Sequence, residues 1–198
     1  MGRMTINTAP YVLALGDSLT AGYGLELSAS FAARIEMLLR ERRPGAVVHN
    51  AGVSGDTTEG GLKRLPRLLA SLTVRPDLAI VELGANDLLR GVPPERTRAN
   101  LDAILDELGR CGIPALLATF EAPRFLGPMA AQYDGIYAAL AAKHGLATAP
   151  FFPAGVLGHP ELVLADRLHP NARAIEIVAA AFLRAVLAAL AGDRSEAA

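Results

Sequence analysis

Three observations predict an α/β fold built on a parallel sheet with helices on both faces. Short apolar runs alternate with helix-spaced apolar patterns down the whole chain, the mark of repeated strand–helix units. The apolar share is 52%, mostly Ala, Leu and Val with only 5% aromatic, a composition that packs helices tightly on a sheet. Small or polar residues follow each of the first three apolar runs, at the sheet edge where open α/β folds bind ligands. At 198 residues the chain fits a single domain, 1–198, with 1–9 and 192–198 expected as flexible ends.

The first strand is Tyr11 to Leu15, ending at Gly16-Asp17-Ser18. Phe31, Ile35, Leu38 and Leu39 then recur at helical spacing, with Ser28 or Ser30 as cap and Pro44-Gly45 as stop. Ala46 to His49 reads as the second strand, leading into the loop Asn50-Ala51-Gly52. Asp56, Thr57 and Thr58 offer caps for a helix with Leu62, Leu65, Leu69 and Leu72 on one face, and Pro66 predicts a kink or break in it. Asp77 to Leu83 is the third strand, running into Gly84-Ala85-Asn86-Asp87. Pro93-Pro94 opens a helix closed at Gly109, and Ile113 to Thr119 is the fourth strand. After a loop from Phe120 to Pro128 come a helix to His144, a short fifth strand from Leu146 to Ala149, and a last helix from Asn171 to Leu190.

Charge and cysteine content exclude several classes of function. A net charge of −1 supplies no basic field for nucleic acid or anionic lipid. The lone Cys111 excludes an internal disulfide and a Cys-based zinc site, and no cofactor or metal is called for. The most apolar window, Ile175 to Leu190, carries Glu176 and Arg184 and reads as too short for a membrane span. The first ten residues lack the apolar core of a signal peptide. The chain as written is expected in the cytoplasm, or outside it if a leader has been removed.

Right-handed crossovers place the loops after the first three strands at one edge of the sheet. They bring together the Ser18 hydroxyl, the Gly52 amide and the Asn86 carboxamide. Acyl transfer needs such a set: a nucleophile, plus donors aimed at the oxygen that becomes negative. Taken singly, each has a plainer reading, as turn former, strand-to-loop turn or Asx-turn. Asp166-Arg-Leu-His169 supplies a base whose imidazole a carboxylate three residues earlier can hold by one nitrogen. The other histidines, His49, His144 and His159, read as structural or exposed. Asp17 reads as a structural residue of the turn.

These blocks resemble the GDSL, or SGNH, hydrolases. Gly16-Asp-Ser-Leu19, Gly52, Gly84-Ala-Asn-Asp87 and Asp166-Arg-Leu-His169 match that family's first, second, third and fifth blocks, in order and across nearly the whole chain. Leu15 to Gly24, Ser54 to Thr58, Glu82 to Asp87 with Arg90-Gly91, and His169-Pro-Asn171 look like its bacterial thioesterase I/lysophospholipase/arylesterase branch. The resemblance implies a flavodoxin-like α/β/α fold with strand order 2-1-3-4-5. It also implies Ser18 as nucleophile, His169 as base, Asp166 as its partner, and an oxyanion hole of Ser18 N–H, Gly52 N–H and the Asn86 side chain. Arg167 stands where that branch commonly has glycine. The Gly-x-Ser-x-Gly elbow of α/β-hydrolases is absent from the sequence.

The implied activity is a serine esterase acting on short- to medium-chain acyl esters or thioesters, including arylesters and lysophospholipids, as a monomer or weak homodimer. Leu88, Leu89, Phe120 and Phe125 are the expected acyl pocket, with Leu25 and Leu27 at its entrance. Two alternatives are a carbohydrate O-acetyl esterase of the same superfamily and a non-enzymatic flavodoxin-like module gripping phosphate at Ser18-Leu19-Thr20.

Overall fold

The computed structural model describes residues 9–120 and 128–195. Strands β1 (Tyr11–Gly16), β2 (Val47–Gly52), β3 (Leu78–Glu82), β4 (Ala115–Thr119) and β5 (Ala147–Pro150) form one parallel sheet in the order β2-β1-β3-β4-β5. The expected strand order therefore holds.

Alternation along the central strands sends side chains into two separate cores. Val12, Ala14, Ile80 and Leu116 face α2 (Phe31–Arg42) and α8 (Ala172–Ser195). There Phe31 meets Phe151 and Phe182 at ring separations of 5.0 and 5.4 Å. Leu13, Leu15, Val81 and Leu117 face the other way, toward Leu65 of α3 (Thr58–Ser71), Leu101, Ile104 and Leu108 of α5 (Pro94–Arg110), and Leu140 of α7 (Ile136–His144). Burying each Leu or Phe contributes roughly 1.5–3 kcal/mol, so the two layers clamp the sheet from both sides. Three short helices, α1 (Ser18–Ala21), α4 (Ala85–Leu89) and α6 (Pro128–Ala131), lie beyond the carboxyl ends of β1, β3 and β4.

Side-chain caps set the starts of α2 and α3. Ser30, not Ser28, accepts from Ala33 N to begin α2, and Thr57 accepts from Gly60 N to begin α3.

Four expectations need correction. β2 runs on to Gly52, because Gly16 of β1 and Gly52 pair across the sheet, so Asn50-Ala51-Gly52 is strand and not loop. Of the kink or break expected at Pro66, the break does not occur, and α3 runs through it; the proline removes one helical hydrogen bond, and the burial of Leu65 and packing on α5 hold the turn together. The helix expected to close at Gly109 continues to Arg110, and the one expected to end at Leu190 continues to Ser195. Finally, Ala172–Gly192 is 21 residues with a mean hydropathy of 2.1, long and apolar enough to cross a membrane by length and composition. Its Ala174, Ile175, Val178, Phe182 and Val186 recur at helical spacing and are buried against α2 and the sheet, the pattern of a core helix.

Candidate active site

β1 delivers Ser18 to the carboxyl edge of the sheet. Asp17 ends the strand's extended path and caps α1, its Oδ1 accepting from Leu19 N at 2.9 Å. Ser18 is thus the first residue of α1, where a helix leaves its N–H unpaired. Gly22, with φ 83°, closes this single turn.

His169 arrives from the far end of the chain. The segment ahead of α8 is fixed by backbone bonds from Leu164 N to His169 O, Arg167 N to Leu164 O, and Asn171 N to Leu162 O. Asn171 then accepts from Ala174 N to start α8. The result places His169 Nε2 at 3.0 Å from Ser18 Oγ. On the other side of the ring, His169 Nδ1 lies 2.6 Å from Asp166 Oδ2.

Asp166 is exposed, yet its carboxyl is held down to about 2. The causes are hydrogen bonds from Leu168 N, the His169 ring and His169 N. An ionised Asp166 assigns the ring proton to Nδ1, which leaves Nε2 as the acceptor facing the serine hydroxyl. Tyr23, absent from the sequence reading as a site residue, covers the imidazole, with ring centroids 4.3 Å apart and planes tilted by 34°.

The two donors expected from other strands also reach this edge. Gly52 sits directly across from Gly16, and its lack of a side chain is required: a Cβ there would lie 2.3 Å from Ala21 N and 2.9 Å from Asp17 O. Its N–H donates to Asn50 Oδ1 at 3.0 Å, an amide oxygen occupying that donor. Asn86, from α4, donates from Nδ2 to Asp17 Oδ2 and to Asp56 O, each at 2.9 Å. Both of its amide hydrogens are therefore engaged in the free protein. Its neighbour Asp87 is fully buried and accepts from Thr58 N, Thr58 Oγ1 and Thr97 Oγ1, tying α3, α4 and α5 together beneath the site.

An apolar cleft opens over the serine. Leu19, Ala85, Leu88, Leu89, Phe120, Phe152, Leu157 and Leu168 line it together with Asp17, Ser18, Asn86 and His169. Of the expected pocket residues, Leu88, Leu89 and Phe120 are in the wall, while Phe125 lies outside the described residues. Neither Leu25 nor Leu27 lines this cleft; Leu25 packs against the α2–α8 core and Leu27 points to solvent, 84% exposed. Phe152, Leu157 and Leu168 were missed, because the long segment between β5 and α8 has no periodicity to mark an inward face. Leu88 and Phe120 also border a second cavity, which continues past Gly84 and Thr119 to Tyr133 and Tyr137.

Remote from the cleft, Asp102, Asp106 and His144 approach one another between α5 and α7. Lys143 already pairs with Asp102 at 2.6 Å, so this is a local ion-pair cluster.

An activated hydroxyl, an oriented imidazole, backbone and amide donors, and an apolar slot can together carry out acyl transfer. Known proteins agree with this. The model of the GDSL-like Lipase/Acylhydrolase family matches residues 14–177. An arylesterase from Vibrio mimicus is 38% identical over 165 residues, covering 82% of this chain and 81% of its own. The Thioesterase 1/protease 1/lysophospholipase L1 of Escherichia coli K12 is 36% identical over 173 residues, covering 86% and 80%. Among solved structures, AlinE4, an esterase of the SGNH-hydrolase family, is 46% identical, with a TM-score of 0.76 and coverage of 96% and 98%.

Proposed function

The chain belongs to the GDSL-like lipase/acylhydrolase family, and from that premise we propose that its cleft hydrolyses short- to medium-chain acyl esters through a covalent intermediate on Ser18. The protein is a carboxylic-ester hydrolase, similar to enzymes named esterase, arylesterase and thioesterase. What carries the assignment of roles is the unbroken relay from Ser18 Oγ through the His169 ring to Asp166, with Ser18 and His169 in the wall of an apolar cleft.

The steps follow from the geometry. His169 Nε2 takes the Ser18 proton as Oγ bonds to the ester carbonyl carbon, and the carbonyl oxygen becomes negative. Ser18 N–H and Gly52 N–H receive that oxygen, which displaces Asn50 Oδ1 from the Gly52 amide. Asn86 adds a third donor by sharing one hydrogen already directed at Asp17 or Asp56. Collapse of the tetrahedral intermediate breaks the bond to the leaving group, which takes the proton from His169. Water, deprotonated by the same nitrogen, then releases the acid and restores the serine. Leu88, Leu89, Phe120 and Phe152 hold the acyl chain.

The test is labelling with a fluorophosphonate, alongside a chain-length series of nitrophenyl esters. Ser18 should carry the label, Ser18→Ala should take up none and lose hydrolysis, and rates should peak at short to medium chains. Label on any other residue, or undiminished hydrolysis by Ser18→Ala, would overturn the assignment.

A further inference from the structure

Two acidic side chains under the Ser18 turn take no part in the relay to His169. Asp17 (1% exposed) and Glu82 (4% exposed) lie side by side, one from the β1–α1 turn and one from the last position of β3. Glu82 Oε2 accepts from Thr20 Oγ1 at 2.8 Å and from Asp17 N at 3.3 Å. Asp17 accepts from Leu19 N and from Asn86 Nδ2. Gly16 makes room for this contact, since a Cβ there would lie 2.0 Å from Thr20 Oγ1 and 2.7 Å from Glu82 Oε2.

Among the described residues no Lys or Arg pairs with either carboxyl. Arg64, from α3, is engaged with Asp56 and with the Gly16 carbonyl. The other ionisable groups around the pair are Asp87 on α4, Tyr137 on α7 and His169 across the cleft. Two adjoining carboxyls in a dry interior cannot both be ionised.

We propose that Asp17 and Glu82 share one proton, and that the pair positions the Asn86 amide for the oxyanion. The proposal rests on the reading of Ser18 and Asn86 given above. Asp17 Oδ2 and Asp56 O fix Asn86 Nδ2 from two sides, so the donor is aligned before the reaction begins, as electrostatic catalysis requires. A doubly ionised pair would set two negative charges beside the nascent oxyanion and oppose it. With one proton retained, Asp17 keeps its acceptor oxygen while the charge beneath the site is halved. The environment acts in the same direction: burial pushes the Asp17 carboxyl up to about 6, and burial together with the charge of Asp17 raises Glu82 well above the ordinary carboxylate range. Burial likewise raises the Tyr137 phenol, which stays neutral, whereas positive charge on His169 draws Asp17 back toward ionisation.

Two measurements on the full chain test this. Infrared spectra near pH ~8, where exposed carboxyls are ionised, should contain a protonated-carboxyl C=O band that shifts in D2O and vanishes in Glu82→Gln. That variant keeps a donor to Asp17 and an acceptor for Thr20. The second is a double-mutant cycle on kcat. Asp17→Ala and Asn86→Ala should each lower kcat by roughly 10² with KM within about threefold, and the double variant should be no slower than Asn86→Ala by more than about threefold. Asp17→Asn, which keeps the acceptor oxygen, should recover kcat to within about tenfold of wild type and serves as a folded control. Absence of the band in wild type, its persistence in Glu82→Gln, or additive losses in the cycle would overturn the proposal. Fluorophosphonate labelling of Ser18 in the same variants separates that result from failure of the serine mechanism itself.

Discussion

The Tyr23 ring lies over the imidazole of His169, centroids 4.3 Å apart, on a side chain that is otherwise half exposed. It restrains the ring plane while Asp166 holds one edge and Ser18 meets the other. Tyr23→Ala should lower kcat for a nitrophenyl ester roughly tenfold, because a small misplacement of the base is costly. Tyr23→Phe keeps the ring and should stay within about twofold. Steady-state kinetics on the two variants decide whether the ring or the hydroxyl matters.

Gly52→Ala should fail twice over. The added Cβ would press on Ala21 N and Asp17 O, backbone atoms that cannot move away as a side-chain tip can. Overpacking of this kind costs about 1–3 kcal/mol, measurable as a lower urea midpoint at unchanged slope. Activity should fall further than stability alone explains, by at least about tenfold, because the same shift displaces the Gly52 donor.

Arg167 is the one non-glycine residue with positive φ among the described residues, at 58°. An L-residue pays about 1–2 kcal/mol to sit there, partly offset in a glycine variant by greater freedom of the unfolded chain. Arg167→Gly should therefore gain up to about 1 kcal/mol in denaturant unfolding. The side chain is exposed and holds nothing in the relay, so kcat on a neutral ester should be unchanged.

The buried Glu82 makes stability depend on pH in a definite direction. Its pKa is raised in the folded protein, so the fold favours the protonated acid. That contribution is fully present below the ordinary value of 4.5 and is lost as pH rises through the raised one. Asp17, raised to about 6, acts in the same sense. Glu82→Gln should accordingly melt higher than wild type by a margin that widens as pH rises above the ordinary value of 4.5, read by calorimetry.

Much of this architecture was legible because it depends on local pattern. The alternating apolar runs gave the strands and helices, and the four blocks named Ser18, Gly52, Asn86, Asp166 and His169, all of which the structure gathers at one sheet edge. What escaped depends on contacts between distant segments. The length of β2 is set by pairing with Gly16, which no residue of β2 reveals. Asp17 looked like a turn residue, and only the placement of α4 turns its free oxygen toward Asn86. Glu82 did carry a signal, a carboxylate closing the apolar run Leu78-Ala-Ile-Val, but its partner lies in another strand's turn. Tyr23 and Phe152 sit in irregular segments, where neither helical nor strand periodicity points inward.

Ser18 and His169 stand 151 positions apart, and α8, which follows the histidine at once, packs on α2, which follows the serine. A chain growing from its amino end thus makes the Ser18 turn long before it makes His169, the base proposed for it. Synthesis at roughly 5–20 residues per second leaves a nascent chain many seconds in that state. With the roles proposed for Ser18 and His169, the relay is complete only once α8 has docked on α2.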